Sequence, residues 1–206
     1  MRMVTAETVD GQTRRRLATR ERLYEAAVAL ITERGYETTT IDEIAARAGT
    51  SRRTSFNHFP TKSDITLEWA RRRRALAADA AKAASPRGDV LERLRAYFGE
   101  LASITEDRPT ETREMLFGYL RACGPVLHPS PMSEELAAWL GDADLPGTGG
   151  ESRLTVAGEL LYDVYLGALW RWMRDPDPRP GAFTAELDAA VDVALGGIAA
   201  SIGAGH

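Results

Sequence analysis

Residues 40–62, TIDEIAARAGTSRRTSFNHFPTK, decide the fold of this chain. Their pattern predicts two short helices joined by a tight turn. Thr40 is placed to cap the first helix, with Glu43 completing a capping box. Gly49 supplies the backbone freedom that a helix-to-helix turn needs, and Ser51 is placed to cap the second helix. Two capped helices around a glycine turn are typical of a helix-turn-helix.

The second of these helices carries polar side chains at its start, where a helix-turn-helix meets the edges of DNA bases. Arg52 and Arg53 are adjacent, so they diverge by about 100° around the helix. We expect one of them to reach a base and the other a phosphate, in an order that the pattern leaves open. Thr54 and Asn57 share one face and point to the groove together.

The surrounding sequence resembles the TetR family of one-component bacterial repressors. The resemblance covers roughly residues 19–68 and rests on the segments RGY (34–36), TTIDEIA (39–45), AGTS (48–51) and HFPTKSD (58–64). It implies a repressor that binds double-stranded DNA and is released by a small-molecule effector. An activator of transcription would share the same sequence features.

The resemblance also bears on individual positions. It implies a phosphate contact from Lys62. It also favours a phosphate contact from His58, for which a hydrogen bond to neighbouring backbone is an equally good interpretation. Ser55 stands where the family usually has a buried apolar residue, and Phe56 lacks the hydroxyl that often reaches a phosphate. The residues that we expect to contact DNA are Thr40, Ser51, Arg52, Arg53, Thr54, Asn57, His58 and Lys62.

Composition limits the other classes of function. The 206 residues, 44% of them hydrophobic, suffice for a buried core. No apolar run approaches the roughly 20 residues of a membrane span, and the N-terminus lacks the apolar core of a signal peptide. We therefore expect a cytoplasmic protein without membrane contact. The single Cys123 is either core filler or a thiol sensor, and the three histidines are too far apart for a zinc site. We expect no metal, no cofactor and no enzyme activity.

Charge is unevenly distributed along the chain. Residues 1–75 hold 15 Lys and Arg against 10 Asp and Glu, and the remainder holds 11 against 20. A basic end on an acidic body suits a polyanion that is bound at that end only. Residues 1–18 show no helical periodicity, so we expect a mobile basic tail. Its arginines at 14–16 are either solvated or add phosphate or minor-groove contacts.

The rest of the chain predicts helices only, and the fold class is therefore all-α. We expect a three-helix DNA-binding domain at residues 19–65 and a helical-bundle domain for ligand binding and dimerisation at 66–206. A helix that Thr61 caps joins the two domains without a flexible linker. The four arginines at 71–74 are expected on a solvated surface. Helices are predicted at 19–34, 62–84, 89–105, 110–123, 133–140, 151–174 and 183–202.

Dimerisation follows from the size of the reading helix. One short helix reads only a few base pairs, so useful affinity demands two copies on a near-palindromic operator. The last two helices resemble the dimer interface of the family, although a plain intramolecular core would show the same pattern. The expected interface residues are Gly158, Gly167, Ala168, Leu187, Val191, Ala194, Leu195 and Ile198.

The resemblance implies a small-molecule pocket among the middle helices. Aromatic and amphipathic side chains are typical of such sites, although at helical spacing most of them belong to the core. Asp163, flanked by apolar residues, is expected to be a partly buried carboxylate. The alternative is a DNA-binding accessory protein of the same fold with a closed core and no effector. The candidate ligand residues are Tyr97, Met115, Phe117, Tyr119, Trp139, Tyr162, Asp163 and Tyr165.

Overall fold

The computed structural model describes residues 6–86, 89–123, 130–142 and 151–203. Within these ranges every regular element is an α-helix, which confirms the predicted all-α class. None of the described helices is long and apolar enough to cross a bilayer. The nine helices of the described part are α1 (Ala6–Arg34), α2 (Ile41–Arg47), α3 (Arg52–His58), α4 (Lys62–Ala84), α5 (Val90–Asp107), α6 (Pro109–Cys123), α7 (Pro131–Asp142), α8 (Glu151–Arg174) and α9 (Ala182–Gly203).

The helices group into two compact units. The first contains the chain up to Ala70 and, in addition, α6 from Thr110 onward. The second contains the chain from Arg71 to Pro109 and the helices α7, α8 and α9. The division in α4 lies near the predicted boundary at residue 65. The position of α6 differs from the expectation, because the sequence assigned it to the second domain.

Helix α1 begins at Ala6, so the expectation of an unstructured tail up to residue 18 is wrong for its described part. Residues 12–18 are exposed and add no buried apolar stripe, which is why no periodicity marked them as helical. Extending an existing helix avoids the cost of nucleation, and arginine, leucine and alanine are good helix formers. The basic segment therefore belongs to a continuous helix.

Helix α7 begins two residues earlier than predicted because two serines cap it reciprocally. The backbone N–H of Ser133 donates to the Ser130 hydroxyl oxygen at 3.0 Å, and the Ser130 N–H donates to the Ser133 hydroxyl oxygen at 2.9 Å. Pro131 then occupies the first helical position, where its missing N–H has no intrahelical partner to lose. The bounds of α8 agree with the prediction at both ends.

Each unit has a core of its own. In the first unit the apolar stripe of α1 packs with residues of the following helices. Its buried side chains include Leu23, Ala27, Ile31, Ile44, Ala45, Phe59 and Ile65. In the second unit the core comes from α5, α7, α8 and α9. Its buried side chains include Leu94, Phe98, Leu101, Leu136, Leu140, Leu161, Leu169, Phe183 and Leu187.

One expectation about the second unit is wrong. Arg73, expected on a solvated surface, is buried. Its guanidinium donates to the Thr105 hydroxyl at 2.6 Å and to the Ile104 carbonyl at 3.3 Å. Arg74 pairs with Glu135 at 3.3 Å. Hydrogen bonds to fixed acceptors are what make the burial of an arginine tolerable.

Candidate nucleic-acid interface

The start of α2 has the predicted capping box. The Glu43 N–H donates to the Thr40 hydroxyl oxygen at 3.2 Å, and the Thr40 N–H donates to the Glu43 carboxylate at 2.9 Å. The Thr40 hydroxyl also donates to the Glu43 carboxylate at 2.8 Å. The hydrogen bonds from the hydroxyl and from the backbone N–H of Thr40 lower the pKa of Glu43, because they favour its charged form. Two orphan donors of the helix are thereby satisfied. The Thr40 hydroxyl, a predicted DNA contact, sits at this exposed helix start.

The turn between α2 and α3 is closed by hydrogen bonds that require glycine. Gly49 has a φ of +63°, in the left-handed region that other residues avoid. The Thr50 N–H donates to the Ala45 carbonyl at 2.9 Å, and the Gly49 N–H donates to the Ala46 carbonyl at 3.1 Å. This is a Schellman motif with glycine at its C′ position. The turn fixes where α3 starts relative to α2.

Helix α3 is capped by Ser51, whose hydroxyl oxygen accepts the Thr54 N–H at 3.1 Å. The Ser51 and Thr54 hydroxyls also lie 2.9 Å apart, so these two predicted DNA contacts are hydrogen-bonded to each other. Ser55 and Phe59 face inward and are fully buried. The opposite face is exposed, and its side chains are Arg52, Arg53, Phe56 and Asn57.

The two arginines at the start of α3 have different surroundings. The Arg52 guanidinium donates to the Asp42 carboxylate at 2.9 Å and lies 5.4 Å from the centre of the Phe56 ring. Arg53 is also exposed, but it has no ion-pair partner in the part of the chain that the structure describes. From the sequence alone the two arginines were not distinguishable.

The end of α3 lies beside the basic half of α1. The Arg20 guanidinium donates to the His58 carbonyl at 2.7 Å and lies 4.1 Å from the centre of the Phe59 ring. Burial lowers the pKa of His58, and the charges of Arg16 and Arg20 lower it further. The imidazole is therefore neutral at pH 7, since its ordinary pKa is already about 6.5. The arginines of α1 are placed on the side of α3 that carries His58.

Lys62 opens α4, but its ammonium points to the turn after α1. Its Nζ donates to the Tyr36 carbonyl at 2.6 Å and lies 4.4 Å from the centre of the Tyr36 ring. Burial is the largest cause of its lowered pKa. The phosphate contact of Lys62 stays a prediction, and it requires the side chain to leave this carbonyl.

The turn after α1 is also held by α6, which the sequence analysis did not foresee. The Glu114 carboxylate accepts the Tyr36 N–H at 2.9 Å, and the Arg121 guanidinium pairs with Glu37. A Cβ added at Gly118 would lie 2.4 Å from the Tyr36 ring, so only glycine permits this approach. An isolated glycine in the middle of a helix was the available signal, because such a glycine often marks close packing.

Comparison with known proteins matches the DNA-binding segment to a family of regulators. The profile described as "Bacterial regulatory proteins, tetR family" matches residues 23–68. Over 159 residues the chain is 27% identical to the HTH-type transcriptional repressor KstR of Mycolicibacterium smegmatis (strain ATCC 700084 / mc(2)155), a match that covers 75% of this chain and 76% of KstR. Residues 23–68 therefore match the TetR family, and the matched segment contains the whole helix-turn-helix. These matches support a DNA-binding transcriptional regulator.

Solved structures of TetR-family proteins have the same fold. Thermus thermophilus FadR, in complex with lauroyl-CoA, gives a TM-score of 0.65 at 24% identity, covering 85% of this chain and 93% of that one. SmeT, the repressor of the Stenotrophomonas maltophilia multidrug efflux pump SmeDEF, gives a TM-score of 0.57 at 23% identity, covering 86% and 89%. At these identities the likeness establishes the all-α architecture of the chain alone.

Some of the predicted ligand residues come together in the second unit. The rings of Tyr97 and Trp139 meet edge to face with centroids 5.3 Å apart. The Tyr97 hydroxyl is buried and has no hydrogen-bond partner among the described residues, whereas the Tyr165 hydroxyl bonds to Arg73 and Thr105. Tyr162 is buried in the same unit. Tyr97 is therefore the candidate with an unused polar group.

The other ligand candidates lie elsewhere. Met115, Phe117 and Tyr119 are in α6, within the first unit, and Phe117 packs against Tyr36 with ring centroids 6.4 Å apart. The structure therefore does not group these three with Tyr97. Asp163 is exposed, so the expected buried carboxylate is wrong. The residues around it face both inward and outward on α8, which sequence flanks alone do not reveal.

The predicted dimer residues face mainly inward. Seven of the eight are buried within the chain itself, and only Gly167 is partly exposed. Gly158 packs against α7, where an added Cβ would lie 2.3 Å from the Ser133 carbonyl oxygen. The structure therefore places these seven residues inside the chain's own core and not on an outward surface. The buried set is Gly158, Ala168, Leu187, Val191, Ala194, Leu195 and Ile198.

The outward side of α8 and α9 carries large apolar side chains that the sequence analysis did not single out. Val156 is 59% exposed, Leu160 44%, Trp170 55% and Val193 78%. The three residues of α8 recur at helical spacing and form one stripe. We call these four residues the outer apolar face.

Among the described residues no group of His, Cys, Asp and Glu is arranged as a metal site. The side chains of Cys123, His128 and His206 lie outside the described residues.

Proposed function

We propose that this chain is a ligand-responsive repressor of the TetR family that binds a near-palindromic operator as a homodimer and is released by a small molecule. The observation that carries the DNA-reading part is the two-sided character of α3. Ser55 and Phe59 fix its inner side, while Arg52, Arg53 and Asn57 stand exposed on its outer side. In a helix-turn-helix this outer side enters the major groove.

The outer apolar face supports the homodimer. A half-exposed tryptophan on the same helical stripe as an exposed leucine and an exposed valine is costly in water, and a second copy of the chain would cover this stripe. Exposed Gly196 and Gly197 lie on α9 close in sequence to Val193, and small side chains permit a close approach between helices. A two-fold dimer would present two reading helices, as a palindrome requires.

Tyr97 supports a ligand in the second unit. Burial raises the pKa of its hydroxyl, which therefore stays a neutral donor and acceptor at physiological pH. A buried hydroxyl without a partner costs about 1–3 kcal/mol, and a polar group of a bound ligand would remove that cost. The adjoining Trp139 ring would contact an apolar part of the same ligand.

Release from DNA follows from linkage. A ligand that prefers a conformation with wrongly spaced reading helices lowers the affinity for the operator, and the operator lowers the affinity for the ligand equally. Helix α4 contributes to both units, and α6 leaves the second unit at Pro109 to hold the turn at Tyr36. These two helices are the elements through which we expect the ligand to act.

The test is selection of DNA from a randomised library by the full-length chain, followed by footprinting on the selected sequence and on DNA upstream of its own coding region. Enrichment of an inverted repeat, together with a dimer in sedimentation, would support the proposal. Trp170→Glu should shift the sedimentation towards monomer and weaken binding to the full repeat more than to a half-site. Salt-sensitive binding without sequence preference would favour the accessory protein instead.

A further inference from the structure

We infer that Arg52 is the residue that reads a base, that the base is guanine, and that Asp42 is the positioning residue that holds Arg52 for this purpose. The inference rests on the proposed reading of DNA by α3. It adds a role for a carboxylate of α2, which by its charge alone would be expected to repel DNA. It also resolves which of the two adjacent arginines meets a base.

The geometry around Arg52 is that of a side chain with a fixed direction. One Nη donates to the Asp42 carboxylate at 2.9 Å, and the guanidinium lies 5.4 Å from the centre of the Phe56 ring on the next turn of α3. The backbone at Asp42 is fixed, because it lies in the first turn of α2 directly after the capped Thr40. The guanidinium is thus held on two sides although it stays exposed.

A guanidinium held in this way keeps the donors that guanine needs. Arginine has five N–H groups in a planar fork, and Asp42 occupies one of the two Nη groups. Two neighbouring donors suffice for the O6 and N7 acceptors of guanine. Fixing the side chain before binding lowers the entropy lost on forming both hydrogen bonds. Asp42 therefore favours the guanine contact without touching DNA.

Arg53 has the opposite character. Its side chain is exposed, points about 100° away around the helix, and has no ion-pair partner in the described ranges. An unrestrained arginine suits a phosphate, which accepts hydrogen bonds from many directions. Arg53 would therefore contribute affinity without sequence preference.

Asp42 has two opposite effects on binding, and this makes its role measurable. Its negative charge lies on the DNA-reading surface and lowers the affinity for any DNA. Through Arg52 it raises the preference for guanine. Asp42→Asn should therefore strengthen binding to random DNA while the guanine preference at one position of the selected site falls about fivefold. A residue that only stabilised the fold would weaken binding to both kinds of DNA.

The experiment uses the full-length chain and the sequence that the wild type selects from a randomised library. Dissociation constants are measured for that sequence, for versions with each guanine replaced by each other base, and for random DNA. The variants are Asp42→Asn, Arg52→Ala and the two combined. In the Arg52→Ala background the Asp42 substitution should no longer change the base preference, because its effect passes through Arg52.

Glu33→Gln is the matched control. Glu33 also pairs with an exposed arginine of the first unit, since the Arg47 guanidinium meets its carboxylate at 2.6 and 2.7 Å. This variant removes the same charge without touching Arg52, so base preference should be unchanged. Thermal unfolding of each variant verifies that the fold is kept.

Three results would overturn the inference. A guanine preference that survives Asp42→Asn would remove the role of Asp42 while leaving the proposed function intact. Loss of a cytosine preference instead would make Asp42 itself the reader, because a carboxylate accepts from cytosine N4. A wild-type chain that selects no sequence would overturn both the inference and the proposed function.

Discussion

The Glu114 carboxylate in α6 accepts the backbone N–H of Tyr36 at 2.9 Å. Tyr36 is buried, and it lies in the turn that leads from α1 to the helix-turn-helix. A helix distant in sequence thus satisfies a backbone donor of the DNA-binding unit. The hydrogen bond is charge-assisted and is of the kind that contributes most to stability.

Glu114→Ala should lower the free energy of unfolding by about 1–3 kcal/mol, because it leaves a part-buried N–H without a partner. Urea unfolding followed by circular dichroism measures the change. Glu25→Ala, at an exposed position of α1, is the control and should stay within about 0.5 kcal/mol of the wild type. Equal effects of the two substitutions would contradict the role of Glu114.

Gly118→Ala should also destabilise the chain, by about 1–3 kcal/mol. The added Cβ would lie 2.4 Å from the Tyr36 ring and 2.8 Å from the Thr66 methyl, both of which are packed. Gly99→Ala, in the middle of α5, meets nothing within 4 Å and should instead stabilise by about 0.5–1 kcal/mol, as alanine favours helix. If thermal unfolding showed that both substitutions stabilise the chain, or that both destabilise it, this account of the packing would be refuted.

Ser55→Ala should stabilise the chain by about 1 kcal/mol. The Ser55 side chain is fully buried in α3 and its hydroxyl has no hydrogen-bond partner among the described residues, so removing the hydroxyl removes a desolvation cost. DNA affinity should not fall, since Ser55 faces inward. Ser130→Ala is the contrast, because it removes the hydroxyl that accepts the Ser133 N–H at the start of α7 and should destabilise by about 1 kcal/mol.

Tyr97→Phe and Tyr165→Phe should change the free energy of unfolding in opposite directions. The first removes an unpaired buried hydroxyl and should stabilise the free protein by about 1 kcal/mol. The second removes a hydroxyl that bonds to Arg73 and Thr105 and should destabilise by a similar amount. Calorimetry measures both. A destabilised Tyr97→Phe would indicate that the hydroxyl already has a partner, and would weaken its assignment to a ligand.

Arg15→Gln combined with Arg16→Gln should reduce the dependence of DNA binding on salt. Both side chains are exposed on α1, and Arg16 lies close enough to His58 for its charge to act on the imidazole. If both contact phosphates, the slope of log K against log salt falls by up to roughly 2, with base preference unchanged. Arg179→Gln, exposed in the second unit, should leave the slope unaltered. An unaltered slope in the double variant would mean that these arginines are solvated.

The helix-turn-helix was predictable because its determinants are local. Thr40, Glu43, Gly49 and Ser51 act on atoms within a few residues of themselves, so their spacing fixes the caps and the turn. The start of α1 was missed because its exposed residues carry no apolar stripe to mark them as helical. An exposed helix needs no apolar stripe, and without the stripe its first residues look like a tail.

The outward face of the second unit was not predictable from spacing. Helices α8 and α9 carry apolar residues on their inner and outer sides alike, and a sequence does not state which side meets the chain's own core. Leu187 and Val193 are both aliphatic residues of α9, yet the first is buried and the second is 78% exposed. Only the packing of the other helices distinguishes them. The contact between α6 and Tyr36 required the tertiary structure for the same reason.

The hydrogen bond between Tyr36 and Glu114 makes one backbone amide a reporter of regulation. Tyr36 precedes α2 and its N–H has no helical acceptor, so its protection from hydrogen exchange depends on α6. The carbonyl of the same residue is held by Lys62 from α4. If a small molecule acts through α6, as we propose, its binding should raise hydrogen exchange at this single amide. A library of small molecules can be screened on that signal alone.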